Sequence, residues 1–184
     1  MPKQRDHQLD AVIDGSALLV SFTLDEDEHR RRRLSGVGAV TDEHLLAALL
    51  GLPVDRLGRV EPRFSHLFDD PSTSAYATVV DDPEGGRWAQ RALTAPLQID
   101  QIDAHTDSWR HGLKIAHSWV GYAPRVIHVS RVADQVLPCL EASEYGIGLV
   151  AEETVLVAPA EYRPRRWTAA RWRFAELVYA RYLS

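Results

Sequence analysis

Residues 103–130 read DAHTDSWRHGLKIAHSWVGYAPRVIHVS, and this stretch decides the fold. At 100° per residue, Trp109, Gly112, Leu113, Ile115, Ala116, Trp119 and Val120 fall on one continuous arc. Arg110, His111, Lys114, His117 and Ser118 fall on the opposite arc. The spacing predicts an amphipathic helix from 107 or 108 to 120. A strand over about 93–104 precedes it. There Leu97 and Ile99 share one phase and Ile102 takes the other, which predicts a bulge at Asp100-Gln101. The β-branched run at 126–130 supplies a second strand directly after the helix.

The alternation continues in both directions. Downstream, the pattern predicts a helix at 133–142, strands at 147–151 and 154–158 with Glu152-Glu153 as their turn, and a final helix at about 168–183 behind Pro164. Upstream, residues 1–14 read as polar and loose, and 17–24 as a strand. Asp25-Glu26-Asp27-Glu28 ahead of the arginines at 30–33 fits a short exposed helix whose charges match its dipole. Thr41 begins another helix, with Leu45, Leu46, Leu49 and Leu50 on its buried side and Gly51 and Pro53 ending it. A strand at 75–80 runs into the turn Asp81-Asp82-Pro83-Glu84-Gly85-Gly86. The expected fold is α/β (α+β), a mixed central sheet with helices on its faces. Residues 1–72 are expected to form an N-terminal portion of the same domain, and 73–184 its core.

The composition fits that size of core. The chain has 184 residues, 45% hydrophobic and 26% charged, with a net charge of −5. This is too apolar for intrinsic disorder and ordinary for one mid-sized domain. No run of about 18 apolar residues predicts a membrane span, and the polar start lacks the apolar stretch of a signal peptide. The expectation is a cytoplasmic protein with no membrane partner. One cysteine, Cys139, excludes an intramolecular disulfide and a cysteine-rich zinc site. Of 21 basic residues, 19 are arginine and only Lys3 and Lys114 are lysine. Residues 161–184 carry +4 and residues 1–160 carry −9, so any nucleic-acid footprint is expected at the C-terminal end.

Few short motifs survive inspection. His105, His111, His117 and His128 suggest a metal site, but His111 and His117 are six residues apart, about 240° around a helix, where shared ligands stand four apart. Asp107 and His111 do have that spacing, as a carboxylate–imidazole pair. Gly146-Ile147-Gly148 is half of a dinucleotide fingerprint and reads instead as glycine where the backbone packs tightly. A P-loop and a Gly-x-Ser-x-Gly elbow are both missing from the sequence. Cys139, among leucines, reads as a small core residue.

The segment from Ile102 to Val157 resembles the C-terminal half of the PD-(D/E)XK nuclease superfamily, in particular small actinobacterial-type domains of that fold, with the spacing held without gaps from Asp103 to Ser130. The matching letters are Asp103-Ala104-His105, Trp109, the helix from Arg110 to Ala116, Ala123-Pro124-Arg125 and Tyr145-Gly146-Ile147-Gly148-Leu149-Val150. The resemblance implies a restriction-endonuclease-like sheet. It also implies a site where two strand-borne carboxylates hold Mg²⁺ beside a lysine. On that pattern Asp103 is the second carboxylate, and Asp81 or Asp82, ending the preceding strand, is the first metal ligand. The lysine position holds His105, which is mostly uncharged near neutrality, and Lys114 is the sole substitute. Ile115 stands where the resembled domains place a glutamine.

Framework letters that hold while catalytic letters change imply a nuclease-like domain that no longer cuts, a pseudo-nuclease serving as a DNA-associated or protein-binding module. Arg163, Arg165, Arg166, Trp167, Arg171 and Arg173 are its expected nucleic-acid or partner contacts. The same tryptophans could instead dock the last helix onto the core. Two other readings stay open at this point. One is an active Mg²⁺-dependent endonuclease using Asp103 and His105; the other is an acidic partner-binding subunit without nucleic acid.

Overall fold

The computed structural model describes residues 7–164 and 166–184. In chain order the elements are β1 (His7–Ile13), β2 (Ser16–Leu24), α1 (Glu26–Ser35), α2 (Glu43–Leu50), β3 (Gly58–Arg59) and two short 3₁₀ turns (Pro62–Phe68 and Pro71–Ala75). Next come β4 (Ala77–Asp81), β5 (Arg87–Arg91), β6 (Leu97–Thr106), α3 (Trp109–Ser118), β7 (Arg125–Val129), α4 (Val136–Glu144), β8 (Gly148–Ala151), β9 (Thr154–Val157) and α5 (Ala169–Tyr182). The chain divides into two compact units, with boundaries at 24/25, 97/98 and 165/166. Among the described residues no helix is long and apolar enough to cross a membrane.

The first unit, Met1–Leu24 with Gln98–Arg165, contains the mixed six-stranded sheet, in the order β1-β2-β6-β7-β8-β9, flanked by helices. This is the expected fold class. Its first hairpin is a finding, because the segment read as loose is strand β1. Asp14 and Gly15 both have positive φ, 48° and 79°, the conformation that joins two twisted strands through a two-residue turn. β1 pairs antiparallel with β2, β6 and β7 are parallel, β7 and β8 are parallel, and β8 and β9 are antiparallel. β6 runs unbroken from Leu97 to Thr106, with both Ile99 and Ile102 buried, so the phase slip marks a strand covered on both faces.

Helices α3 and α4 lie over the sheet face that bears Ile127 and Leu149, both fully or almost fully buried. Gly112 makes the closest approach: a Cβ there would collide with Cγ2 of Ile127 and stand 2.9 Å from Cγ2 of Thr106. Arg125, buried at the start of β7 without a carboxylate partner among the described residues, donates to the carbonyls of Ala116 (3.2 Å) and Tyr145 (3.0 Å). It thereby supplies positive charge to the C-terminal ends of α3 and α4. A Cβ at Gly148 would press on Pro159 and Val126 at 3.0 Å, which accounts for the Gly-x-Gly pair by packing.

The second unit, Asp25–Leu97 with Arg166–Ser184, holds a three-stranded sheet in the order β3-β5-β4 and the helices α1, α2 and α5. Its core gathers Leu46, Leu49, Phe68, Leu93 and Trp172. Asp42, one residue past the expected Thr41, caps α2, accepting from the backbone N–H groups of His44 and Leu45. α1 has the expected acidic start and basic end, an Asp25 cap and a left-handed Gly36 stop. It is not, however, a solvated helix: Arg32 is wholly buried and Glu28 nearly so. The Arg32 guanidinium donates to Glu28 (2.7 Å), to both oxygens of Glu176 (2.8 and 2.7 Å) and to the carbonyls of Gly38 and Thr94. All five of its N–H groups are thereby used. Glu176 also accepts from Trp172 Nε1 and the Val40 backbone.

Candidate functional site

Alternation along β6 sends Gln101, Asp103 and His105 to one face, opposite the one that α3 covers. The parallel register pairs His105 with His128 of β7, so both imidazoles share that face. The rings stack, with centroids 4.5 Å apart and 15° between planes. Asp103 lies beneath them with a side chain only 5% exposed. Its Oδ1 is 2.7 Å from His128 Nε2, and Gln101 Nε2 donates to Oδ1 and Oδ2 at 2.7 and 2.9 Å. The buried carboxylate is therefore satisfied from within the sheet, as a buried charge must be.

The cluster opens where β6, β7 and β8 end, at the carboxyl edge of parallel strands that favours ligand sites. A cavity of about 550 Å³ there is lined by His105, His128, Asp107, Ser130, Glu152 and Glu153, among others, with no lysine or arginine among the described residues of its lining. Glu152 and Glu153, the expected turn, both hold positive φ, 48° and 64°. His105 also borders a hollow of about 330 Å³ lined by Val12, Ala17 and Leu19 of the β1–β2 hairpin, with Asp10 as the one acidic residue among those described in its lining.

The expected site residues separate on this frame. Asp103 and His105 share a face and meet His128. Lys114 is exposed on α3, which packs over the opposite face of the sheet, so it does not fill the catalytic lysine's place. Asp81 ends β4 in the three-stranded sheet of the second unit and Asp82 follows it directly, whereas the strands beside β6 in its own sheet are β2 and β7. The Asp81 carboxylate pairs with Arg87 at 2.7 Å, and Asp82 accepts from the Glu84 backbone and from Trp88 Nε1. The Asp107–His111 pair is not formed; Asp107 faces the cavity instead. No group of three histidine, cysteine or acidic side chains is placed to hold a metal among the described residues.

This donor set does not fit Mg²⁺. That ion takes oxygen ligands in octahedral order, whereas the oxygens of Asp103 already face an amide N–H₂ and an imidazole. The C-terminal arginines separate as well. Arg171 is buried, its guanidinium 4.2 Å over the Trp167 ring, and Trp172 and Phe174 are buried in the core. The tryptophans thus dock the helix. Arg163 is exposed and paired with Glu161 at 2.6 Å, Arg166 is exposed, Arg173 is half-buried, and Arg165 lies outside the described residues.

Comparison with known proteins adds nothing to this geometry. No protein-family model matches the chain, and neither does any curated protein or solved structure. The site therefore stands on its own chemistry. The sequence singled out His128 only as one of four histidines, not as the partner of Asp103, and the further signal was local: it is the one polar side chain inside Val126-Ile127-His128-Val129, a run otherwise apolar as buried parallel strands are.

Proposed function

We propose that the first unit is a nuclease-like scaffold of the PD-(D/E)XK type that does not cut nucleic acid and instead binds a basic or uncharged partner. The observation that carries this reading is the commitment of Asp103 to Gln101 and His128. A carboxylate already saturated by N–H donors is a poor ligand for a hard divalent cation. The order hairpin, Asp103 strand, helix, parallel strand supports the scaffold. Charge supports the partner class: with eight basic and twelve acidic side chains the unit carries −4, and its cavity has acidic walls. Phosphodiester backbones are drawn to the opposite sign of surface.

Incubation with single- and double-stranded DNA and RNA in Mg²⁺ or Mn²⁺ tests the reading. The expected result is no cleavage. Metal-dependent cleavage abolished by Asp103→Ala would overturn it. The DNA-associated version makes a separate demand, that charge reversal at Arg166 and Arg173 lowers both DNA affinity and its salt slope; the expected result is no change in either.

A further inference from the structure

We propose that His128 is a metal-independent general base, oriented by Asp103, in a cleft that takes an uncharged or cationic substrate with an apolar arm. The inference goes beyond the preceding reading and does not need the nuclease resemblance, because it stands on the side chains alone. Both oxygens of the buried Asp103 carboxyl group already accept from Gln101, so Oδ1, 2.7 Å from Nε2, acts as the acceptor there too and the proton sits on that nitrogen. Nδ1 is then left with its lone pair. Among the described residues Nδ1 has no hydrogen-bond partner, and the His128 side chain, 30% exposed, borders the 550 Å³ cavity. A buried acid, an imidazole in one tautomer and an open cleft are the parts that proton abstraction requires. His105, flat against the ring, is a positioning residue that limits its rotation.

The walls define the substrate. The cavity is of small-molecule size and among the described residues its lining offers no lysine or arginine to a phosphate or carboxylate, while Asp107, Glu152 and Glu153 repel one. The hollow that also borders His105 offers Val12, Ala17, Leu18 and Leu19 to an apolar group, and its acidic residue, Asp10, again disfavours an anion. With an ester probe the step balances without any further reactant. Nδ1 takes a proton from water as the water oxygen bonds to the carbonyl carbon, the bond to p-nitrophenolate breaks, and His128 passes the proton to solvent. Water has then added across the ester.

The test uses the full chain without metal, in chelator, with p-nitrophenyl butyrate and an anionic succinyl analogue. Expected are turnover of the butyrate above that of free imidazole, a loss of about 10²-fold or more in His128→Gln, and no change in His111→Gln, on the exposed side of α3. The anionic ester is expected to react at least about tenfold more slowly. Turnover that His128→Gln leaves intact overturns the base, and equal turnover of both esters overturns the substrate class. Should a variant fail to fold, the imidazole nitrogen shifts of the wild-type chain decide alone. Protonation on Nε2 with bare Nδ1 is expected, and protonation on Nδ1 overturns the assignment. Failure here leaves the nucleic-acid cleavage result untouched, so the two readings fail separately.

Discussion

Replacing Arg32 by methionine removes every donor of a wholly buried guanidinium at one stroke. Burial works against its charge, but the hydrogen bonds and charges of Glu176 and Glu28 outweigh this and hold its pKa above the ordinary arginine value. Methionine keeps much of the volume and removes every donor. Glu176, wholly buried, would retain only Trp172 Nε1 and the Val40 N–H, and the carbonyls of Gly38 and Thr94 would each lose an N–H donor. Breaking a buried ion pair from one side costs about 3–5 kcal/mol. That is a large share of the roughly 5–15 kcal/mol by which a domain is stable. For a chain of this length it corresponds to a fall of about 6–20 °C in Tm. Urea titration followed by tryptophan fluorescence measures it. Arg30→Ala is the control: its pair with Asp27 spans 3.4 Å and both side chains are largely exposed, so it should lose at most about 0.5 kcal/mol. If Arg32→Met costs less than about 1 kcal/mol, the buried network does not hold the second unit together and the reasoning is refuted.

Other consequences follow from single contacts. Burial raises the pKa of Glu28, but hydrogen bonds from Arg31 and Arg32 overcome that and hold it below its ordinary value of 4.5. A depressed carboxylate contributes stability above its unfolded pKa and loses it as pH falls through the folded one. Stability measured from pH 6 down to 3 should therefore drop more steeply in the wild type than in Glu28→Gln; parallel curves would argue against the pair. Gly112→Ala gains helix propensity of up to about 1 kcal/mol, yet its methyl meets Ile127 and Thr106, and overpacking of that kind costs about 1–3 kcal/mol. A net loss in thermal unfolding is expected, and a raised Tm would contradict the close approach of α3 to the sheet.

What the sequence made readable was periodic. α3, β7, the Glu152-Glu153 turn and α5 stand within a few residues of expectation because each is fixed by its own hydrophobic spacing. The β1–β2 hairpin was equally local, and Asp14-Gly15 was its signal, overlooked because the flanking strand is polar on one face. Arg32 was beyond reach. A run of four arginines looks solvated, and only the return of Glu176, 144 residues later, makes one of them a core residue. The site divides in the same way. Asp103 and His105 could be singled out on one strand, whereas the pairing with His128 depends on the parallel register, which tertiary packing sets. Asp81 and Asp82 fell to topology: adjacency in sequence order did not translate into adjacency in the sheet.

The central claim is that Asp103 belongs to a histidine and not to a metal. Titration of Mn²⁺ into histidine-labelled protein tests it directly, because a paramagnetic ion broadens only the resonances close to it. The His105 and His128 signals are expected to keep their widths at millimolar Mn²⁺. Selective broadening of both, lost in Asp103→Asn, would place a metal on that carboxylate and contradict the account.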